Sequence, residues 1–257
     1  MPTSPHRTLD LFGLRINALS FKEAVDVLCE QVPQRPAKVV VTPNVDHLLS
    51  LAEDPDLQRI YSKADFKFAD GMPVVWASRC LGAALPERVT GADLFVALCQ
   101  QAVARRWRVS ILGGTPGQEA LLAKRFEEVF PGLQVAILCP AMGFDYRSEE
   151  ANAAVNWVNG TAPDVVFVCL GFPRQDLWSI TYRHRLDAGL VLCVGAAMEF
   201  ALGFKVRAPR WMQVSGLEWS WRLASEPRKL WRRYLLGGPK FAVLVFRAWR
   251  SSLKAGL

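Results

Sequence analysis

Six short runs of apolar, largely β-branched residues recur along the first four-fifths of the chain, at 38–42, 66–69, 108–112, 134–138, 164–170 and 190–194. Several are apolar at successive positions, as parallel strands buried on both faces are. Between them apolar residues return at helical spacing, near 45–63, 73–81, 91–106, 117–130, 148–159 and 174–186. This alternation predicts an α/β fold, a Rossmann-like parallel sheet sandwiched by helices. It stops after Gly203. The rest of the chain is helical in pattern, punctuated by Pro209, Pro227 and Pro239 into three short segments. In the last, Phe241, Leu244, Val245, Ala248 and Trp249 fall at i, i+3, i+4, i+7 and i+8, opposite Arg247, Arg250 and Lys254, which makes an amphipathic helix with a basic face. The expected division is a core over 1–203 and a helical appendage over 204–257.

Charge obeys the same division. Residues 204–257 hold twelve Lys/Arg against two acids, Glu218 and Glu226, so that this stretch carries +10 in a chain of net +7 and the body is mildly acidic. Five of the nine tryptophans fall there too. A basic, Trp-rich segment fits an anionic surface: phosphate, nucleic acid or membrane lipid. With 51% hydrophobic residues, disorder is excluded. No run approaches the roughly 20 apolar residues of a spanning helix, and no signal-peptide-like run opens the chain, so a protein on the cytoplasmic side is expected. The six cysteines form no Cys-x-x-Cys pair and read as buried free thiols.

In a parallel sheet, ligands bind beyond the carboxyl ends of the strands. Thr42-Pro43-Asn44, Asp70-Gly71, Gly113-Gly114-Thr115-Pro116-Gly117, Gly171-Phe172-Pro173-Arg174-Gln175-Asp176 and Gly195 all fall there. The glycine turn at 113–117 either offers backbone N–H groups to a phosphate or is ordinary turn chemistry. Asp70 is either a general base or a helix N-cap. Thr42 and Asn44 also fit turn and cap roles, and Gln175 and Asp176 fit a plain helix start. A dinucleotide Gly-x-Gly-x-x-Gly is absent, which argues against an oxidoreductase. Asp54-Pro55-Asp56 reads as a surface turn rather than a metal site, and the three histidines lack metal-ligand spacing.

Taken in order, these groups together with Glu87-Arg88-Val89-Thr90-Gly91-Ala92-Asp93, Arg207-Ala208-Pro209, Gly216-Leu217-Glu218-Trp219 and Glu226-Pro227-Arg228 closely resemble the bacterial WecG/TagA/CpsF family of glycosyltransferases, from about Leu9 to Arg233. The resemblance implies an inverting enzyme, needing no metal or other cofactor. It would move N-acetylmannosamine, its uronic acid or a hexose from a UDP-sugar to an undecaprenyl-diphosphate-linked saccharide in cell-surface polysaccharide synthesis. It implies a peripheral enzyme on the inner face of the cytoplasmic membrane, whose appendage helps close the site, and self-association as in some members. Carried over by position, Asp70 is the general base, Thr42 and Asn44 line its pocket, and Arg88, Gln175, Gly113 and Gly114 serve substrate binding. Arg222, Lys229 and Arg232 are expected to reach the UDP diphosphate. Where members often have Pro-Lys-Gln-Glu and Phe-Asp, this chain has Pro173-Arg174-Gln175-Asp176 and Met198-Glu199, which keep charge and change reach. The competing reading is a basic nucleotide- or nucleic-acid-binding α/β protein without transferase activity; the resemblance implies no nucleic-acid partner.

Overall fold

The computed structural model describes residues 7–255, except the side chains of Val214, Lys229, residues 232–234 and those from 252 onward. The chain opens on an antiparallel hairpin, β1 (Thr8–Leu11) and β2 (Leu14–Asn17). Its turn places Phe12 and Gly13 at φ +54° and +76°. Phe12 tolerates this because its surroundings fix it. Its carbonyl accepts a hydrogen bond from Gln58 Nε2 at 3.1 Å, and its ring packs 5.6 Å from that of Phe241. Then come α1 (Phe21–Gln31), β3 (Lys38–Val41), α2 (Val45–Glu53), α3 (Pro55–Tyr61), β4 (Phe66–Lys67), α4 (Met72–Cys80) and α5 (Gly91–Arg105). The second half runs β5 (Arg108–Gly113), α6 (Glu119–Val129), β6 (Gln134–Leu138), α7 (Glu149–Gly160), β7 (Val165–Cys169), α8 (Arg174–Tyr182), a 3₁₀ turn (Arg183–Arg185), β8 (Leu190–Cys193) and α9 (Ala197–Ala201). The chain closes with α10 (Arg210–Val214), α11 (Glu218–Ser225) and α12 (Pro227–Ala255).

The six core strands are parallel, in the order β4-β3-β8-β7-β5-β6, which is the expected Rossmann-like α/β sandwich. Alternate residues serve opposite faces. Val39, Val41, Val166, Val168 and Val191 pack with α2, α4, α7 and α8, and Val40, Val109, Ile111, Phe167 and Leu192 with α1, α5, α6 and α9. Both faces are therefore covered, which explains the unbroken apolar runs.

Three features differ from expectation. The hairpin and α9 are too short to be read in the sequence, whereas α1 was missed although Phe21, Ala24, Val25, Leu28 and Cys29 stand at i, i+3, i+4, i+7 and i+8 behind a Ser20–Glu23 capping box. The helical pattern over 45–63 is two helices, because Asp54 ends α2 and caps α3 through the amides of Asp56 and Leu57, with Pro55 in the first turn. Pro239 does not separate two helices: α12 runs through it. Tertiary packing overrides the breaker here. Gly237 is buried against α2, where a β-carbon on it would make an ordinary 3.6 Å contact with Leu49, and Phe241 packs into the core.

The start of β8 sets a tight steric limit. Gly189 donates to Asp164 O at 3.0 Å and accepts from Lys38 N at 2.9 Å, while a β-carbon on it would lie 1.9 Å from the carbonyl oxygen of Val32. Backbone cannot yield as a side chain does. Gly189→Ala is expected to cost at least about 3 kcal/mol of stability, measured by denaturant unfolding.

Candidate active site

Beyond the ends of β3 and β4 lies a cleft of about 370 Å³, walled on one side by the loops of the body and on the other by α11 and α12. Asn44, Asp46, Asp70, Arg88, Glu218 and Arg222 contribute its polar lining. The amide of Asp70 donates to Pro43 O at 2.9 Å, and the amide of Val89 to Ala69 O at 3.0 Å, so the loops after β3 and β4 and the loop between α4 and α5 are tied around one point.

Asp70 does not cap the helix after it. Gly71 holds the cap position of α4 at φ +116°, with no side-chain cap bond. The Asp70 carboxyl therefore stays with the cleft. Burial raises its pKa from the ordinary 3.8 to about 6; Glu218 pushes the same way, while Arg222, Arg88 and Arg207 pull it down. Asn44 does cap: its Oδ1 accepts from the amides of Asp46 and His47, at 3.0 and 3.3 Å. What Asn44 can still give the cleft is its NH₂ group.

Arg88 binds Glu218 Oε2 at 2.9 Å and Gln213 Oε1 at 3.3 Å, a link from the body to the C-terminal helices across 130 and 125 residues. Arg222 Nε lies 3.6 Å and Arg207 Nε 3.8 Å from Glu218 Oε1. Arg222 also stacks over the Phe200 ring, 5.1 Å from its centroid. Arg207 forks onto both carboxylate oxygens of Asp93, whose hydrogen bonds from Arg207 and Thr90 outweigh burial and hold its pKa below the ordinary range. Gly216 allows the close approach of this segment: at φ +76°, a β-carbon on it would strike the Trp76 ring at 2.6 Å. Glu218, Arg207 and Asp93 were missed as site residues in the sequence. The available signal was Glu218 itself, one of two acids in a stretch carrying +10.

Thr42, Gln175, Gly113 and Gly114 are not in the lining of this cleft. Thr42 is buried below the start of α5, where a β-carbon on Gly91 would come within 3.0 Å of its Oγ1. Gln175 is buried and clamps two loops, its Oε1 accepting from the amides of Gly171 at 3.1 Å and Gly195 at 2.9 Å. Gly113 and Gly114 come at the end of β5, four strand spacings from β4 and so about 19 Å along the sheet edge. Packing explains them: at φ +145° and +105°, β-carbons would collide with Cys169 at 2.7 Å and Cys139 Sγ at 2.9 Å. The side chains of Lys229 and Arg232 lie outside the described residues. Among the described residues no cluster of three or more His, Cys, Asp or Glu could hold a metal ion. His47 is stacked on Phe172 with centroids 4.1 Å apart, and burial lowers its pKa to about 3.

A half-buried carboxylate with a raised pKa is a better proton acceptor than an ordinary aspartate. Guanidinium groups on the facing wall suit an anion that gains charge as a bond breaks. The cleft therefore sets a carboxyl of raised pKa beside the guanidinium groups of Arg88 and Arg222. The family model described as "Glycosyl transferase WecG/TagA/CpsF family" matches residues 9–255. The chain is similar to the N-acetylglucosaminyldiphosphoundecaprenol N-acetyl-beta-D-mannosaminyltransferase of Bacillus spizizenii, 29% identical over 254 residues, covering 99% of this chain and 95% of the relative. It is similar to the protein of the same name from Bacillus subtilis, 27% identical over 217 residues, covering 84% and 82%.

Beside Gln175, Asp176 is 1% exposed and neither carboxyl oxygen has a hydrogen-bond partner. Burial raises its pKa from 3.8 to about 8. Because the folded state holds this proton to higher pH than the unfolded chain, stability falls as pH rises between these values. Asp176→Asn should remove that dependence. Relative to it, the natural protein should lose up to about 1.4 kcal/mol per pH unit between about pH 5 and pH 8, read from urea unfolding.

Proposed function

This chain belongs to the WecG/TagA/CpsF glycosyltransferase family, and on that premise we propose that it moves N-acetylmannosamine, or a sugar of that kind, from a UDP-sugar to an undecaprenyl-diphosphate-linked saccharide, with inversion. The relatives' names support the acceptor and the sugar. The observation that carries the chemistry is the uncapped, high-pKa carboxyl of Asp70 in a cleft walled by Arg88 and Arg222.

In this reading the acceptor hydroxyl attacks the anomeric carbon from the face opposite the diphosphate. Its proton passes to Asp70 as the new C–O bond forms. The bond from the anomeric carbon to the diphosphate breaks, and its electron pair leaves with UDP. The charge that builds there is met by Arg222, joined by Lys229 and Arg232 from α12. Arg88 plays two parts: it faces the cleft and, through Glu218, holds the C-terminal helices in place. Gln175 acts indirectly, by fixing the loops after β7 and β8. Thr42 supports the loop that carries Asn44. Residues 204–257 thus serve as a closing wall, and their basic edge suits an anionic leaflet that presents the lipid-linked acceptor. No helix among the described residues is long and apolar enough to cross a membrane.

Product formation from UDP-N-acetylmannosamine and a lipid-diphosphate-linked N-acetylglucosamine, monitored by mass spectrometry, tests this. Asp70→Asn should fold normally and lose about 10²–10⁴-fold in kcat. A chain ending at Gly203 lacks Glu218 and Arg222 and should be inactive. Near-natural turnover by Asp70→Asn would remove the base assignment.

A further inference from the structure

A second hollow, about 600 Å³, runs between α4 and α12. Pro73, Trp76 and Cys80 line one side, and Phe241, Val245 and Trp249 the other, with no charged side chain in the lining among the described residues. On α12 these positions run i, i+4 and i+8, one stripe about 12 Å long at 1.5 Å per residue. Trp76 is 43% and Trp249 42% exposed, an unusual state for large aromatics on a water-facing groove. The groove adjoins the cleft: Pro73 and Phe241 line both. Pro73 lies less than one helical turn from Asp70 in sequence.

We infer that this groove is a subsite for the polyprenyl chain of the acceptor, taking its diphosphate-proximal isoprene units. The inference rests on the proposed identity of the acceptor. A lipid-linked saccharide has one polar and one apolar end. With the acceptor hydroxyl at Asp70, the chain must leave the polar cleft along some surface. The boundary at Pro73 and Phe241 is where lining by Asp46, Arg88 and Glu218 gives way to uninterrupted apolar lining. Leaving along the groove keeps the first isoprene units out of water while the saccharide stays in the cleft. A chain seated between α4 and α12 would also bridge the body and the C-terminal helices, so acceptor binding would reinforce the wall that Arg88 and Glu218 hold.

Cys80 makes the groove directly observable. Of the six cysteines it is the exposed one; Cys29, Cys99, Cys139 and Cys193 are buried and Cys169 is partly covered. Maleimide labelling of Cys80 in the full chain in detergent, read by mass spectrometry, reports whether the groove is open. Undecaprenyl diphosphate at about ten times its Kd should slow labelling about tenfold by mass action, and a five-carbon isoprenyl diphosphate or UDP should not. Equal protection by the five-carbon compound would place the effect in the cleft and overturn the inference. So would equal protection by phospholipid vesicles without polyprenyl lipid, which would make the groove a bilayer contact, or no protection by any of them. Transfer measured on the same samples separates the two readings. Turnover of the long-chain acceptor with Cys80 labelled at its free rate sinks the groove alone; protection without turnover on any UDP-sugar sinks the proposed reaction and leaves the groove.

Discussion

Glu218 is 16% exposed on its side chain and stands within 4 Å of three guanidinium groups, those of Arg88, Arg207 and Arg222. Taking such a cluster out of water is costly, and it persists because each charge has a partner of opposite sign. Two of the cations come from the C-terminal segment and one from the loop before α5, so the cluster is also the joint between segment and body. Asp93 adds a second joint through its bidentate pair with Arg207. Remove the carboxylate of Glu218, and Arg88 and Arg222 line the cleft without it, while Arg207 keeps Asp93. The electrostatics of Asp70 and the docking of the helices therefore meet at Glu218.

This constraint ties the chemistry to a part of the chain that the sheet does not organise. The sheet delivers Asn44 and Asp70 to adjacent strand ends and stops there. In the proposed reaction, cationic stabilisation of a leaving diphosphate has to come from elsewhere, and the segment carrying +10 is placed to offer it. Its excess charge is divided. Arg207 is committed to docking, Arg88 and Arg222 are shared between Glu218 and the cleft, Lys240 pairs with Glu53 of α2 at 3.0 Å, and Arg247 and Arg250 stay on the outer edge of α12. The apolar stripe of the same helix turns toward α4. One helix thus borders the cleft at Gly238 and Phe241, lines the apolar groove and carries basic residues on its outer edge.

Much of the fold was legible because buried parallel strands write themselves as apolar runs, and all six appeared where expected. The hairpin was not, because its turn depends on Phe12 being held by Gln58 and Phe241, contacts remote in sequence. Pro239 misled for the same reason: the packing of Phe241 into the core, by contacts remote in sequence, outweighs a local breaker. At the site, Asp70 was ambiguous between base and cap until Gly71 proved to occupy the cap position. Asn44 was read as a pocket residue or a cap, and its oxygen does cap. Gly113 and Gly114 look like a phosphate loop in sequence, but packing against Cys169 and Cys139 accounts for both. The role of Glu218 could not be read from spacing, since its partner Arg88 lies 130 residues away.

Burial raises the proton affinity of Asp70 and charges brought by the C-terminal helices temper it, and the proposed chemistry turns on that balance. The most direct test is the pH dependence of kcat/KM for Arg222→Gln beside the natural enzyme. Arg222 is the largest influence holding the Asp70 pKa down against burial, so its loss should move the acid limb from about 6 to higher pH. An acid limb that stays in place, or moves to lower pH, would contradict the account.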